Sequence, residues 1–155
     1  MAYLEKWLRV KKSQIPKSGK GLFTTCDIKK GQRIVEYKGR LHKWKDIKFQ
    51  DATNGYLLYM TSQAVIDARA SKTFGRYAND AAGLSRVEGL KNNAEYLYEG
   101  KRCYIEAKRF IAAGEEIFVA YGREYWSDRR MELAKLKSPK KKKALPSRHK
   151  KSPVK

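Results

Sequence analysis

Residues Gly114–Trp126 read GEEIFVAYGREYW. An apolar run, Ile117–Tyr121, has the composition of a short buried strand, and it leaves through a Tyr-Gly pair with Tyr125 and Trp126 just beyond. A strand that serves only as core needs neither a tyrosine at its exit nor a Tyr-Trp pair after it. Upstream, Gly75–Ala81 reads GRYANDA, a polar and irregular stretch between two strand-like regions. Together the two stretches point to a site rather than to packing alone.

Working outward, the chain breaks into many short apolar runs separated by turn residues. Trp7–Val10 reads as a strand, Lys17–Gly21 (KSGKG) as a hairpin turn, and Leu22–Thr25 as the returning strand. Arg33–Leu41 is apolar and β-branched enough for a central strand with Tyr37 near its end. Residues 42–53 suit a short helix, Asn54-Gly55 a turn, and Tyr56–Met60 and Ala64–Ala68 two more strands. Ala94–Tyr98 and Arg102–Ala107 form a hairpin across Glu99-Gly100, and Ala113-Gly114 turns into the last strand, Ile117–Tyr121. Residues 123–136 carry apolar side chains at helical spacing. The pattern predicts one compact, mostly β domain over residues 1–134 with short helices, followed by a disordered Lys-rich tail at 135–155.

The chain has 155 residues and a net charge of +20. Residues 135–155 hold ten Lys/Arg and no acid, leaving 26 basic and 16 acidic groups in residues 1–134. Such a tail favours polyanions, and the expected partner is DNA, held through its phosphates without sequence preference. Cys26 and Cys103 are isolated from each other and from His42 and His149, so neither a four-ligand zinc site nor any other metal is expected. No apolar run approaches the ~20 residues of a membrane span, and the N-terminus lacks the apolar stretch of a signal peptide. The expected place is intracellular, in a nucleus or a bacterial nucleoid, with no membrane contact.

Four separated motifs line up with one family. They are Ser18-Gly19-Lys20-Gly21-Leu22-Phe23 with Val35-Glu36-Tyr37-Lys38-Gly39 after it; Arg76-Tyr77-Ala78-Asn79-Asp80-Ala81; Asn92-Asn93; and Ile105-x-Ala107-x-Arg109-x-Ile111-x-x-Gly114-Glu115-Glu116-Ile117, running into Ala120-Tyr121-Gly122. In this order the chain resembles a minimal SET-domain protein lysine methyltransferase, similar to the short viral and bacterial versions. The resemblance implies a β-clip (SET) fold whose C-terminal segment is pseudoknotted, passing under a loop and bringing Asn79 beside Tyr121. It implies S-adenosyl-L-methionine as cofactor and a protein lysine as methyl acceptor, with a histone or histone-like basic protein as the expected substrate.

Residue by residue, the resemblance makes Ser18, Gly19 and Lys20 the backbone cradle for the methionine end of the cofactor. Tyr56 resembles the tyrosine that closes over it, Asn79 and Asp80 the Asn-His pair that holds it, and Trp126 the aromatic that stacks on adenine. Tyr121 matches the tyrosine at the methyl-transfer point, and Tyr37 and Tyr96 match positions lining the lysine channel. Asp80 stands where the family usually has histidine, Ala81 where it has serine, and Val119 where many relatives have Phe or Tyr. Tyr96 then supplies the hydroxyl that Val119 lacks, favouring low methylation states. The residue types suit the chemistry: an apolar tube lowers the pKa of an entering lysine, and tyrosine faces attract its cation while the hydroxyls orient the amine. The competing expectation, motivated by Asp80 and Ala81, is an inactive SET fold serving as a nucleic-acid-associated binding protein.

Overall fold

The computed structural model describes residues 4–43, 45, 57–59 and 64–122, and in the C-terminal segment residues 127, 130, 131, 134 and 135. Among the described residues nine short strands carry the fold: β1 Leu8–Lys12, β2 Lys20–Thr24, β3 Arg33–Glu36, β4 Arg40–Lys43, β5 Leu57–Tyr59, β6 Ala64–Asp67, β7 Ala94–Glu99, β8 Arg102–Ala107 and β9 Glu116–Ile117. Among the described residues two single turns of 3-10 helix appear: Glu5–Trp7 leads into β1, and Phe74–Tyr77 takes in the first three residues of GRYANDA. The architecture is mostly β with short helices.

The chain gathers into two compact units. The first, within Met1–Lys38 and Lys72–Ala120, holds two three-stranded antiparallel sheets, β1-β2-β9 and β3-β8-β7. β7 alternates as a half-buried strand does, whereas β2, β3 and β8 carry consecutive buried residues and are covered on both faces. Leu8, Leu22, Ile34, Val35, Ile105 and Ile117 are all buried. The second unit, within Gly39–Ser71 and Tyr121–Pro153, holds the sheet β4-β6-β5, with Arg40 opposite Asp67 and Leu57 also opposite Asp67.

Most strands fall within a residue or two of where composition puts them. The hairpin β7–β8 pairs Ala94 with Ala107 through Glu99 with Arg102, as its Glu99-Gly100 turn demands. Two expectations change. Arg33–Leu41 is not one strand: it ends at Glu36 and resumes at Arg40, and the boundary between the units falls between Lys38 and Gly39. Nor is the β1–β2 turn tight, because Ser13–Gly19 forms a longer loop closed by Ser13 N–H donating to the Gly19 carbonyl at 2.8 Å. The anticipated helix at 42–53 lies outside the described residues except for Lys45, which is helical. Of 123–136, the described residues Ser127, Arg130, Met131, Ala134 and Lys135 are helical. The tail beyond Lys135 lies outside the described residues.

The last strand is shorter than its apolar run. After β9, Phe118 and Val119 stop pairing as a regular ladder and make single parallel bridges, Phe118 to Asn79 and Val119 to Ala94. Val119 N–H donates to the Asn79 carbonyl at 2.8 Å, while the Phe118 carbonyl accepts from the amides of Asn93 and Ala94 at 3.1 and 3.0 Å. The segment therefore runs between two loops contributed by residues about 40 and 25 positions earlier in the chain. This is the threading that the family resemblance implies, and Asn79 meets it two residues before Tyr121.

Candidate functional site

The Ser13–Gly21 loop is held from two sides. Asn79 donates its Nδ2 hydrogen to the Lys20 carbonyl at 3.0 Å, joining GRYANDA to the KSGKG stretch across 59 positions. From below, Glu116 of β9 accepts from Ser13 Oγ at 2.7 Å through Oε1 and from the Gln14 amide at 2.9 Å through Oε2. Its carboxylate is only 1% exposed and packs against Gly21, where any Cβ would collide with Oε1. A buried carboxylate is tolerated only with such partners. Gly21 is there because the carboxylate needs the space, not because of its dihedrals. In sequence both Gly21 and Glu116 stand inside the family motifs, but neither carries a role there; the burial that pairs them is visible only in the structure.

Above the loop, Ser18 is half-buried while Gly19 and Lys20 are exposed. Gly19 has φ of +62° and nothing within 4 Å of its Cβ position, so its backbone faces open space. The Asn79 side chain, with one N–H used on Lys20, keeps an amide oxygen for a cationic ligand group. An exposed glycine backbone beside an amide oxygen fits the carboxylate and ammonium of an amino-acid ligand.

Asp80 is placed differently. It is buried, and its Oδ1 accepts from the Ala82 amide at 2.8 Å and from Asn92 Nδ2 at 2.9 Å. Asn92 Oδ1 in turn accepts from the Ala81 amide at 2.8 Å. This reciprocal pair fastens the GRYANDA loop to the Asn92-Asn93 loop. Asn93 continues the tie, with Nδ2 donating to the Glu116 carbonyl at 2.8 Å and Oδ1 accepting from the Phe118 amide at 2.9 Å. The Asn-Asn dipeptide thus secures one side of the threaded strand to the loop that holds Asn79.

A second group of residues forms an aromatic wall on the β3-β8-β7 sheet. Tyr37 N–H donates to the Cys103 carbonyl at 2.8 Å, and Cys103 lies opposite Tyr98, so Tyr37, Cys103 and Tyr98 stand in one row across the sheet. Tyr96 belongs to the neighbouring row, opposite Ile105. The Tyr37 and Tyr96 rings meet edge to face, 6.0 Å apart at 87°, and Tyr96 tilts toward Tyr98 at 6.4 Å. Tyr37 and Tyr96 are 0% and 3% exposed. Burial first, and then the Cys103 thiol, push the Tyr98 phenol above its ordinary range. Tyr98 was not anticipated: in sequence it is one of ten tyrosines, and only the strand register gives it a role.

Gly75 brings the two groups near each other within the first unit. A Cβ there would lie 2.9 Å from the Glu36 carbonyl and 3.1 Å from Tyr37 Cα, so the GRYANDA turn packs directly on the end of β3. Tyr121 is buried and belongs to the second unit, and Gly122 after it has φ of +100°. Tyr56 and Trp126 lie outside the described residues. Among the described residues no group of His, Cys, Asp and Glu is arranged to hold a metal ion.

Comparison with known proteins agrees with this geometry. The SET domain family profile matches residues 19–122. Over 123 residues the chain is 30% identical to the Histone-lysine N-methyltransferase EZH2 of Chaetomium thermophilum, covering 72% of this chain and 8% of that protein. It is 30% identical over 126 residues to the N-lysine methyltransferase KMT5A-A of Xenopus laevis, covering 73% of this chain and 36% of that protein. The chain thus spans about a third or less of the length of these curated relatives. Among solved structures, a humanized mutant of the Chaetomium thermophilum Polycomb Repressive Complex 2 superposes with a TM-score of 0.61 at 28% identity, over 74% of this chain and 15% of that one. A ctPRC2 structure in an autoinhibited conformation bound to S-adenosylmethionine gives 0.63 at 25% identity, over 83% and 16%. With its motif residues joined in this way and its sequence matched over most of its length, the chain belongs to the SET domain family.

Proposed function

We propose that the chain is an S-adenosylmethionine-dependent protein-lysine N-methyltransferase acting on a histone or histone-like basic protein. The observation that carries this reading is the double use of Asn79. Its side chain holds the Lys20 carbonyl and its own carbonyl holds Val119, so the proposed cofactor cradle and the strand leading to Tyr121 share one anchor.

When bound, S-adenosylmethionine supplies an electrophilic methyl group on a sulfonium. Ser18, Gly19 and Lys20 would receive its amino-acid end through backbone groups, with the Asn79 amide oxygen toward the ammonium; Tyr56 and Trp126 are assigned from the motif alone. Tyr37 and Tyr96 present buried aromatic surface on which a lysine sheds water. Loss of hydration lowers the pKa of an ammonium and favours the neutral amine needed for attack. Alignment of that amine is the main catalytic task, and Tyr121 is assigned to it. Asp80 acts as a fastener, with its Oδ1 already committed to Ala82 and Asn92. The Lys-rich segment 135–155 is assigned to sequence-blind DNA contact, which would keep the enzyme near chromatin-like substrates.

Calorimetric titration with S-adenosylmethionine, followed by labelled methyl transfer to mixed histones and to the protein itself, tests this. Binding with transfer supports the reading, and the labelled band identifies the substrate class. No binding at high micromolar cofactor would overturn it and leave the inactive, nucleic-acid-associated SET fold. Tyr121→Phe is expected to cut turnover while sparing cofactor affinity; an unchanged rate would remove Tyr121 from the mechanism.

A further inference from the structure

The basic charge is concentrated within the fold as well as in the C-terminal segment. Between Leu4 and Cys26 the chain carries Lys6, Arg9, Lys11, Lys12, Lys17 and Lys20 against the single acid Glu5. Between Lys72 and Ala120 the balance is nearly even, with eight basic and seven acidic residues. All six N-terminal cations are exposed, and none is bridged to a carboxylate among the described residues. Glu116, the acid beneath the loop, is buried and turned toward Ser13 and Gln14.

Their arrangement is linear. Among the described residues β1 is the edge of its sheet, paired with β2 alone. Arg9 and Lys11 share one face, about 6.7 Å apart at ordinary strand rise. The Arg9 guanidinium is held along the strand by the Lys6 and Leu8 carbonyls at 2.9 and 2.7 Å, and the Lys11 ammonium sits 4.4 Å from the Phe23 ring centroid. Lys12 lies directly opposite Lys20, a like-charge pair that costs stability when nothing anionic covers it. Trp7, at the head of the strand, is 42% exposed, with the Lys6 ammonium 5.1 Å from its ring. A row of fixed cations leading from an exposed indole matches the chemistry of a single nucleic-acid strand, whose phosphates track charge and whose unpaired bases stack on aromatics.

We propose that the β1 edge, from Lys6 and Trp7 to Lys12, is a binding face for single-stranded nucleic acid. It is separate from the C-terminal Lys-rich segment and independent of methyl transfer. An acidic protein shares the cation chemistry and could also cover an indole, so competition by polyglutamate against the oligonucleotide is what separates it from a nucleic-acid strand.

The test uses the full chain and a labelled oligothymidylate, with affinity measured by fluorescence anisotropy over a series of salt concentrations. Three variants are compared with the parent: Arg9→Glu/Lys11→Glu on the shared face of β1, Lys101→Glu/Lys108→Glu as an equal charge change on exposed residues elsewhere, and Trp7→Ala. The face variant is expected to lose about tenfold or more in affinity, and its log–log salt slope to shrink by about 1.4, at roughly 0.7 per phosphate contact removed from a single strand. The remote variant should lose clearly less, and Trp7→Ala should lose about fivefold or more. Equal losses in the two charge variants, or an unchanged affinity in Trp7→Ala, would overturn the proposal. Competition by polyglutamate as effective as by the oligonucleotide would also overturn it, in favour of an acidic protein partner. Matching thermal melts for the variants exclude misfolding as the cause.

Discussion

The two hairpins of the first unit, β1–β2 and β7–β8, are both antiparallel and of similar length, yet they are stabilised in different ways. β7–β8 closes over Gly100 and Lys101, with its register running unbroken from Glu99–Arg102 to Ala94–Ala107. Its order follows from residues adjacent in sequence. β1–β2 closes over the Ser13–Gly19 loop, whose shape depends on a carboxylate 103 positions away and an amide 59 positions away from the residues they bind. The locally determined hairpin presents the aromatic wall, and the remotely determined one presents the loop proposed as the cofactor cradle. A loop held this way takes its shape only once the threaded strand is in place.

The most forceful way to break the contrast is Glu116→Ala. It leaves Ser13 Oγ and the Gln14 amide without their buried acceptor and empties the space beside Gly21, and is expected to cost about 3 kcal/mol in chemical denaturation. Cofactor affinity should fall with it, because the cradle is what loosens. Gly21→Ala attacks the same contact from the other side by forcing a methyl into Oε1. An expected loss of about 1 to 3 kcal/mol separates a tight fit from a slack one, and an unchanged stability would show that the carboxylate has room to move.

On the aromatic hairpin, Tyr98→Phe should be nearly silent at neutral pH and visible in alkali. A phenol whose pKa is raised in the folded state favours folding below the ordinary tyrosine range and loses that contribution as pH rises, because the unfolded chain releases the proton first. Denaturation series above about pH 10 should therefore show a shallower alkaline decline in the variant than in the parent. Identical declines would show that its surroundings do not raise the Tyr98 phenol. The smallest effect is expected at the like-charge pair Glu95–Glu106, directly opposed on β7 and β8. Glu95→Gln should stabilise by a few tenths of a kcal/mol in low salt, and the gain should fade as salt is added.

The same division separates what was legible in the sequence from what was not. The β7–β8 hairpin could be read, because turn residues and strand alternation act over a few positions; the order of the four motifs and the kinship of the KSGKG and GRYANDA stretches came from the family resemblance. The break in Arg33–Leu41 could not: its apolar composition is continuous, and the interruption comes at the boundary between two units. Glu116 stood in a family motif with no role of its own, and Asp80 was a departure from the family pattern. Both are buried fasteners, a role set by partners outside their local sequence. Tyr98 likewise acquired meaning only from lying across from Cys103.

By itself, then, the sequence determined the family, the mostly β character and the residue types available for cofactor and lysine, because motifs and periodicity are local properties of the chain. The tertiary structure decided which polar groups would be buried and paired, which loop would be anchored by Glu116 and Asn79, and where unneutralised cations would line an edge. Those outcomes depend on contacts between segments tens of residues apart, and a buried charge or an exposed one is defined only by what surrounds it.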